Sequence, residues 1–308
     1  MTIASLLLPF LSRFQPPTSQ PMKGDDWDIS LSAPARQNEP TIRTALTAGH
    51  SNRTGRRLMP GVFITKGMTV GIPPGGLKLG IGADGRPTGQ LELHVRFDVC
   101  PTWVALALRH VDEARRGREA RIIAWSGDDE SAKGASLETE FESSMQAVMA
   151  AAIAIDAFYS MIQPHVRIPE ATVETWRTKR TARYSQVAEV IRRGFGLKRI
   201  GVQRLRQNLK EIYRLRDLAV HPSGRIEAPV LHPDLDVGVE WRFVYFRADN
   251  AELVVNAATW TLWELSHSGR PDNPEIRRYV DGLRLVLDSI FPAGHPFDQR
   301  NSAVVAAT

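Results

Sequence analysis

Apolar and polar positions change their spacing twice along the chain. Through about residue 60 they follow neither a two-residue nor a 3.6-residue period. Pro, Ser, Thr, Gln and Arg dominate 15–60, so 1–60 reads as a flexible leader. From Gly61 the spacing becomes that of strands. VFITKGMTVGI and LKLGIG are short and β-branched, the turn ADGRPTG follows, and QLELHVRFDV alternates so that Leu91, Leu93, Val95, Phe97 and Val99 share one face. The segment 103–117 has helical character and ARIIAW (120–125) reads as one more strand. The expected unit is therefore β-rich over 61–130, with a hairpin at its centre.

Past the polar loop SGDDESAKGAS (126–136), the best domain boundary by composition, the apolar period becomes that of helices. The pattern predicts helices over 137–163, 171–193, 202–221, 250–267 and 275–291. Asp249 with Glu252 three residues on resembles a capping box, and Asn273 before Pro274 is a good helix start. EWRFVYF (240–246) reads as a short strand or hairpin arm. The whole is an α+β chain: a small β-rich N-terminal unit, an all-α helical bundle over 136–292 and a tail over 293–308.

Composition narrows the function classes. With 308 residues, 43% hydrophobic and 24% charged, the chain can bury a core. A single cysteine, Cys100, allows neither an intramolecular disulfide nor a cysteine-based zinc cage, which points to a reducing, cytoplasmic setting. The run LLLPFL near the start has no basic residue before it and is interrupted by Pro9, unlike a signal peptide. No stretch approaches 18 unbroken apolar residues, so no membrane partner is expected. The net charge is +5, but 165–225 holds fifteen of the 39 Lys and Arg against five of the 34 Asp and Glu, which is +10 there and −5 elsewhere. That concentration suits a polyanion, or a pair of solvated helix faces.

Several motifs dissolve on inspection. Gly80, Gly82 and Gly85 spell GxGxxG, but a dinucleotide loop needs a helix after it and a strand follows here, so these read as hairpin glycines. Asp128, Asp129 and Glu130 read as solvated linker acids. Seven histidines other than His221 show no metal-ligand spacing and read as surface or linker residues, so neither a metal nor a cofactor is expected. Trp260 and Trp263, at helical spacing, read as core.

The third predicted helix holds the informative constellation. At about 100° per residue with Leu209 as origin, Leu205 and Ile212 fall at about −40° and −60°, Val202 and Val220 at about +20°, and Tyr213 at about +40°. Arg216 falls at about −20°, in the middle of that apolar stripe. A guanidinium there needs an anion: a carboxylate such as Asp156, a carboxylate of a second chain, or a phosphate. Asp217 and His221 are spaced i, i+4 on the flank, where a carboxylate can orient an imidazole, and Pro222 ends the helix at His221. Arg216 and His221 are about 140° apart on a straight helix, so gripping one group requires the helix end to unwind or a second copy of the chain.

The segment Arg216-Asp-Leu-Ala-Val-His221 resembles the R-x4-H signature of HEPN domains. The alanine-rich helix MQAVMAAAIAIDAFYS, the polar residue after the Arg, and a fourth helix NAELVVNAATWTLWELS extend the resemblance over about 136–291. It implies a metal-independent endoribonuclease that works as a homodimer on RNA, in a toxin–antitoxin or antiviral setting, with an antitoxin or regulatory partner. Arg216 would bind the scissile phosphate, His221 would move protons, and Asp217 would hold the imidazole. Family members paired with a nucleotidyltransferase carry a Tyr two positions after the His; Ser223 stands there, so that pairing is not implied. Two other readings remain: a catalytically silent HEPN interaction domain, and a helix-turn-helix DNA-binding protein built on AEVIRRGFGLKRIGVQRLRQ. The last would expose Arg216, whereas the stripe places it inside or at an interface.

Overall fold

The structure is a computed structural model that describes residues 63–65, 67–221, 224 and 226–297, and the backbone of Ile42–Leu46. The leader expected over 1–60 otherwise lies outside the described residues. The chain divides at Val99 into a β unit and a helical unit.

In the β unit, β1 (Ile42–Leu46), β2 (Met68–Gly71) and β3 (Leu77–Ile81) all pair antiparallel with the 11-residue β4 (Pro87–Phe97). β3 covers the first half of β4, with Leu77 opposite Leu91, and β2 the second half, with Gly71 opposite His94. β1 pairs with the 89–93 stretch that β3 partly shares, so it runs along the other edge. Residues 72–76 stand opposite only Glu92 and Leu93 of β4, a bulge that accommodates two prolines unable to donate to the ladder. Gly75 takes φ +75° there, and the Glu92 N–H donates to the Gly76 carbonyl at 2.7 Å. The GxGxxG stretch is a hairpin turn as expected: Gly85 has φ +73°, its N–H donates to Gly82, and β4 follows.

The helical unit begins earlier than the sequence pattern suggested. α1 runs unbroken over Cys100–Trp125, so ARIIAW is its last turns rather than a strand, and the loop expected over 126–136 shrinks to 126–129, a connection inside the helical unit. The reason is an inverted pattern. Val104, Ala107, Val111, Ala114, Gly117 and Arg121 form the buried face, while the β-branched pair Ile122 and Ile123 points to solvent. Asp129 accepts from the N–H groups of Ser131 and Ala132, which starts α2 (Glu130–Ile162). α2 is apolar and long enough to cross a membrane by length and composition, but half of its most apolar stretch is buried inside the protein, and a core helix passes the same test.

The helix expected over 171–193 is two: α3 (Glu170–Thr178) and α4 (Arg183–Gly194). Between them Arg180 takes φ +46°, Thr181 N–H donates to Trp176 and Arg180 N–H to Arg177, which closes α3 as a Schellman motif without its usual glycine. α5 (Arg199–Val220) follows a short turn with Gly196 at φ +59°. A two-residue hairpin, β5 (Val230–Leu231) and β6 (Gly238–Val239), leads into α6 (Trp241–Tyr245), so EWRFVYF is a helical turn. α7 (Ala248–His267) starts two residues earlier than the supposed capping box would set it; Asp249 and Glu252 instead bind Arg118 and Arg115 of α1. α8 (Pro274–Ile290) starts as expected, with the Asn273 side chain accepting from Glu275 and Ile276.

Side chains of α1, α2, α4, α5, α7 and α8 form one core around Ile155, Phe158, Leu209 and Trp260. The expected tail contributes to it: His295 is fully buried beside Thr259, 3.0 Å away, and Phe297 packs near Trp260. Residues 298–308 lie outside the described ones.

Candidate functional site

The apolar stripe of α5 is largely as projected. Leu205, Leu209, Ile212 and Tyr213 are buried, but Val220 is 48% exposed where the stripe reaches the end of the helix. Arg216 sits between, its side chain 25% exposed. The anion it needs is on α2: its Nη1 donates to Asp156 Oδ2 at 3.2 Å. Its guanidinium also lies 4.6 Å from the centre of the Tyr213 ring.

Asp156 gathers more than this one cation. Its Oδ1 accepts from the Tyr213 hydroxyl at 2.7 Å and from Arg183 Nε at 3.0 Å. Arg183 is the first residue of α4 and its guanidinium stacks 4.0 Å from the Tyr159 ring. Burial works against the Arg183 charge, yet Asp156 and the Tyr159 and Tyr213 oxygens more than offset it and its pKa is raised. Burial, and then Asp156, hold the Tyr213 phenol firmly protonated. Two guanidiniums from different helices thus converge on one half-buried carboxylate. The Arg183 Nη groups have no partner among the described residues, so they are available to a further anion.

Asp217 was expected to hold the His221 imidazole. Its carboxylate instead turns to Arg216, accepting from Nε at 3.0 Å and Nη2 at 2.8 Å. The i, i+4 relation to His221 appears in the backbone, where the His221 N–H donates to the Asp217 carbonyl at 2.9 Å. His221 itself leaves the helix at φ −108° and ψ 96°, extended as the residue before a proline should be. His221 is therefore the residue that caps α5, just outside its helical run. Asp156 and Arg216 are brought together, Asp217 joins through the arginine, and Arg183 is the member that sequence reasoning missed. Its signal was the basic KRTAR run, hidden inside what looked like one continuous helix.

A second polar cluster is buried at its centre and reaches solvent at Asp234, whose side chain is 32% exposed. Arg121 of α1 donates to Glu140 of α2 at 2.5 Å and to Asp234 at 2.9 Å, and Glu140 also accepts from the Ala248 N–H at the start of α7. His232 is 1% exposed beside them; its Nδ1 accepts from the Asp234 N–H at 3.2 Å. Burial, then Arg121 and Arg247, push its pKa down to about 4. His232 and His295 are thus core residues and not the surface histidines their scattered spacing suggested. This network ties α1, α2, the small hairpin and α7 together rather than meeting a substrate. Among the described residues, no three His, Cys, Asp or Glu side chains gather as metal ligands. Comparison with known protein families, curated proteins and solved structures finds no match to this chain.

Proposed function

We propose that the helical unit is a HEPN-type, metal-independent endoribonuclease that acts as a homodimer in the cytoplasm, in a toxin or antiviral setting. The observation that carries this reading is the partly open guanidinium of Arg216, held by Asp156 and Asp217 five residues before His221, which leaves the helix with extended backbone. A partly exposed arginine whose carboxylates fix its plane is preorganised for a phosphate, and the hydrogen bonds it makes to a phosphorane strengthen as charge develops.

The chemistry needs RNA. The substrate 2′-oxygen attacks the adjacent phosphorus, forming the O2′–P bond as the P–O5′ bond breaks. His221 takes the 2′-hydroxyl proton or protonates the leaving 5′-oxygen, its counterpart on the second chain supplying the other step. Arg216 offsets charge on the phosphorane, Arg183 lies close enough to share that task, and Asp217 acts by positioning Arg216. The helix-turn-helix reading has the α4–α5 pair in its favour, but an Arg216 turned inward to Asp156 is not placed to read DNA.

The test is incubation of the pure protein with RNA. Cleavage is expected to persist in EDTA, to leave 2′,3′-cyclic phosphate and 5′-hydroxyl ends, and to stop when the nucleotide 5′ to the cut is 2′-deoxy. Arg216→Ala and His221→Ala, each with an unchanged circular dichroism spectrum, should lose about 10²-fold or more. Activity lost in EDTA and restored by magnesium or manganese, or cleavage of an all-deoxy strand, would overturn the chemistry.

A further inference from the structure

The N-terminal half of α5 and Tyr184 of α4 enclose an open groove of about 620 Å³. Three cations line it, Arg204, Arg206 and Lys210, together with the amides of Gln203 and Gln207, and no carboxylate is among the lining residues. Arg206 and Lys210 are exposed, and the Arg206 guanidinium lies 5.8 Å from the centre of the Tyr184 ring. This is the centre of the basic concentration seen in the sequence. Its contents match the three parts of a single strand: cations for phosphates, amides for base edges and an aromatic face on which a base can stack.

The groove is also in line with the site. On the α5 wheel with Leu209 as origin, Arg206 falls at about +60°, Asp217 at about +80° and Lys210 at about +100°, within one sector of a helix that ends at His221. At about 1.5 Å per residue, Lys210 and Arg206 precede His221 by about 16 and 22 Å, a few nucleotides of strand. Between them Arg214 is already held by Glu211 at 2.7 Å, which leaves Arg206 and Lys210 of the groove as the exposed cations facing a new anion.

We infer that this groove binds single-stranded RNA and leads the strand along α5 to Arg216 and His221. The choice of RNA among polyanions rests on the nuclease reading above; the groove itself rests on its own lining. It separates strand capture from cleavage, so the two can fail independently.

The experiment is fluorescence anisotropy of the full chain with an unstructured 12-nucleotide 2′-O-methyl RNA, which binds without a 2′-hydroxyl to attack. The double substitution Arg206→Gln/Lys210→Gln should weaken binding at least tenfold at about 0.1 M salt and flatten the slope of log affinity against log salt by about 1.4. Tyr184→Ala should weaken it about fivefold or more with the slope unchanged. Gln207→Glu, which adds one acid to the groove, should act in the same direction as the double variant, and Arg278→Gln on α8 should change nothing. Binding unaltered by both the double variant and Gln207→Glu, with folded spectra, would overturn the proposal. So would a preference for duplex DNA or for anionic lipid vesicles over the single strand. If the wild type binds through the groove but cleaves no RNA, the groove stands and the nuclease reading falls. If it cleaves with KM unchanged in the double variant, the reverse holds.

Discussion

Burial and the charges of Arg121 and Arg247 keep the His232 imidazole neutral in the folded chain, with its pKa near 4 against about 6.5 when unfolded. Between those two values the unfolded chain binds a proton that the folded chain refuses, so stability falls as the pH falls through that window, by up to about 3 kcal/mol. Asp234 acts lower: burial opposes its charge, but Arg121 and Arg247 hold its pKa below the ordinary carboxylate value, so its contribution is lost only under more acid conditions. Urea midpoints at pH 7, 5.5 and 4.5 should drop more for the wild type than for His232→Gln; equal drops would show that His232 does not set the acid limb. At this scale the sequence was partly legible. The stripe of α5 showed that Arg216 needs an anion and offered Asp156, because one helix carries the whole argument. Arg121, Arg183 and His232 were missed because each acquires its role only where separate elements meet.

Gly117 marks where α1 and α2 come closest: a Cβ there would lie 2.9 Å from the Cα of Glu140 and 3.0 Å from its nitrogen. Backbone cannot swing aside as a side chain can. Gly117→Ala should therefore destabilise by about 1–2 kcal/mol, the intrinsic helical gain of alanine being outweighed by overpacking. Gly282, in the interior of α8, is the matched control. It has nothing within 4 Å of an added Cβ, so Gly282→Ala should stabilise by up to about 1 kcal/mol. Thermal melts of the two variants shifting in the same direction would refute the crossing argument. Helix ends set by local chemistry, such as Asn273 before Pro274, were legible in advance. The helical course of ARIIAW was not, because Arg121 faces inward only by virtue of Glu140 on the next helix. The break at Arg180 was hidden for a related reason: a non-glycine residue closes the helix there, so the usual punctuation is missing.

For the whole molecule, the order of a β unit followed by a helical one was legible, and their boundary was not. A polar loop marks a change of composition, but α1 joins the helical unit because its buried face is completed by α2. The exposed Val220 at the end of the α5 stripe, one residue before His221, is an apolar position left open where a second copy would complete the proposed site. Sedimentation at tens of micromolar should show a dimer, and Val220→Glu should shift it toward monomer and lower RNA cleavage in parallel. A wild-type monomer with full activity would remove the composite site while leaving the Arg216 geometry intact.

Cys100 is the first residue of α1 and is fully buried, and it is the only thiol in the chain. The protein therefore carries its own clock for the opening of its helical unit. A thiol reagent can reach the sulfur only when the start of α1 leaves the core, so the labelling rate in native buffer reports that opening without any added probe. A ligand that binds only the closed unit slows the clock by the factor 1 + [L]/Kd when opening is in fast exchange. Labelling as fast as in concentrated urea would mean that this end of α1 is open most of the time.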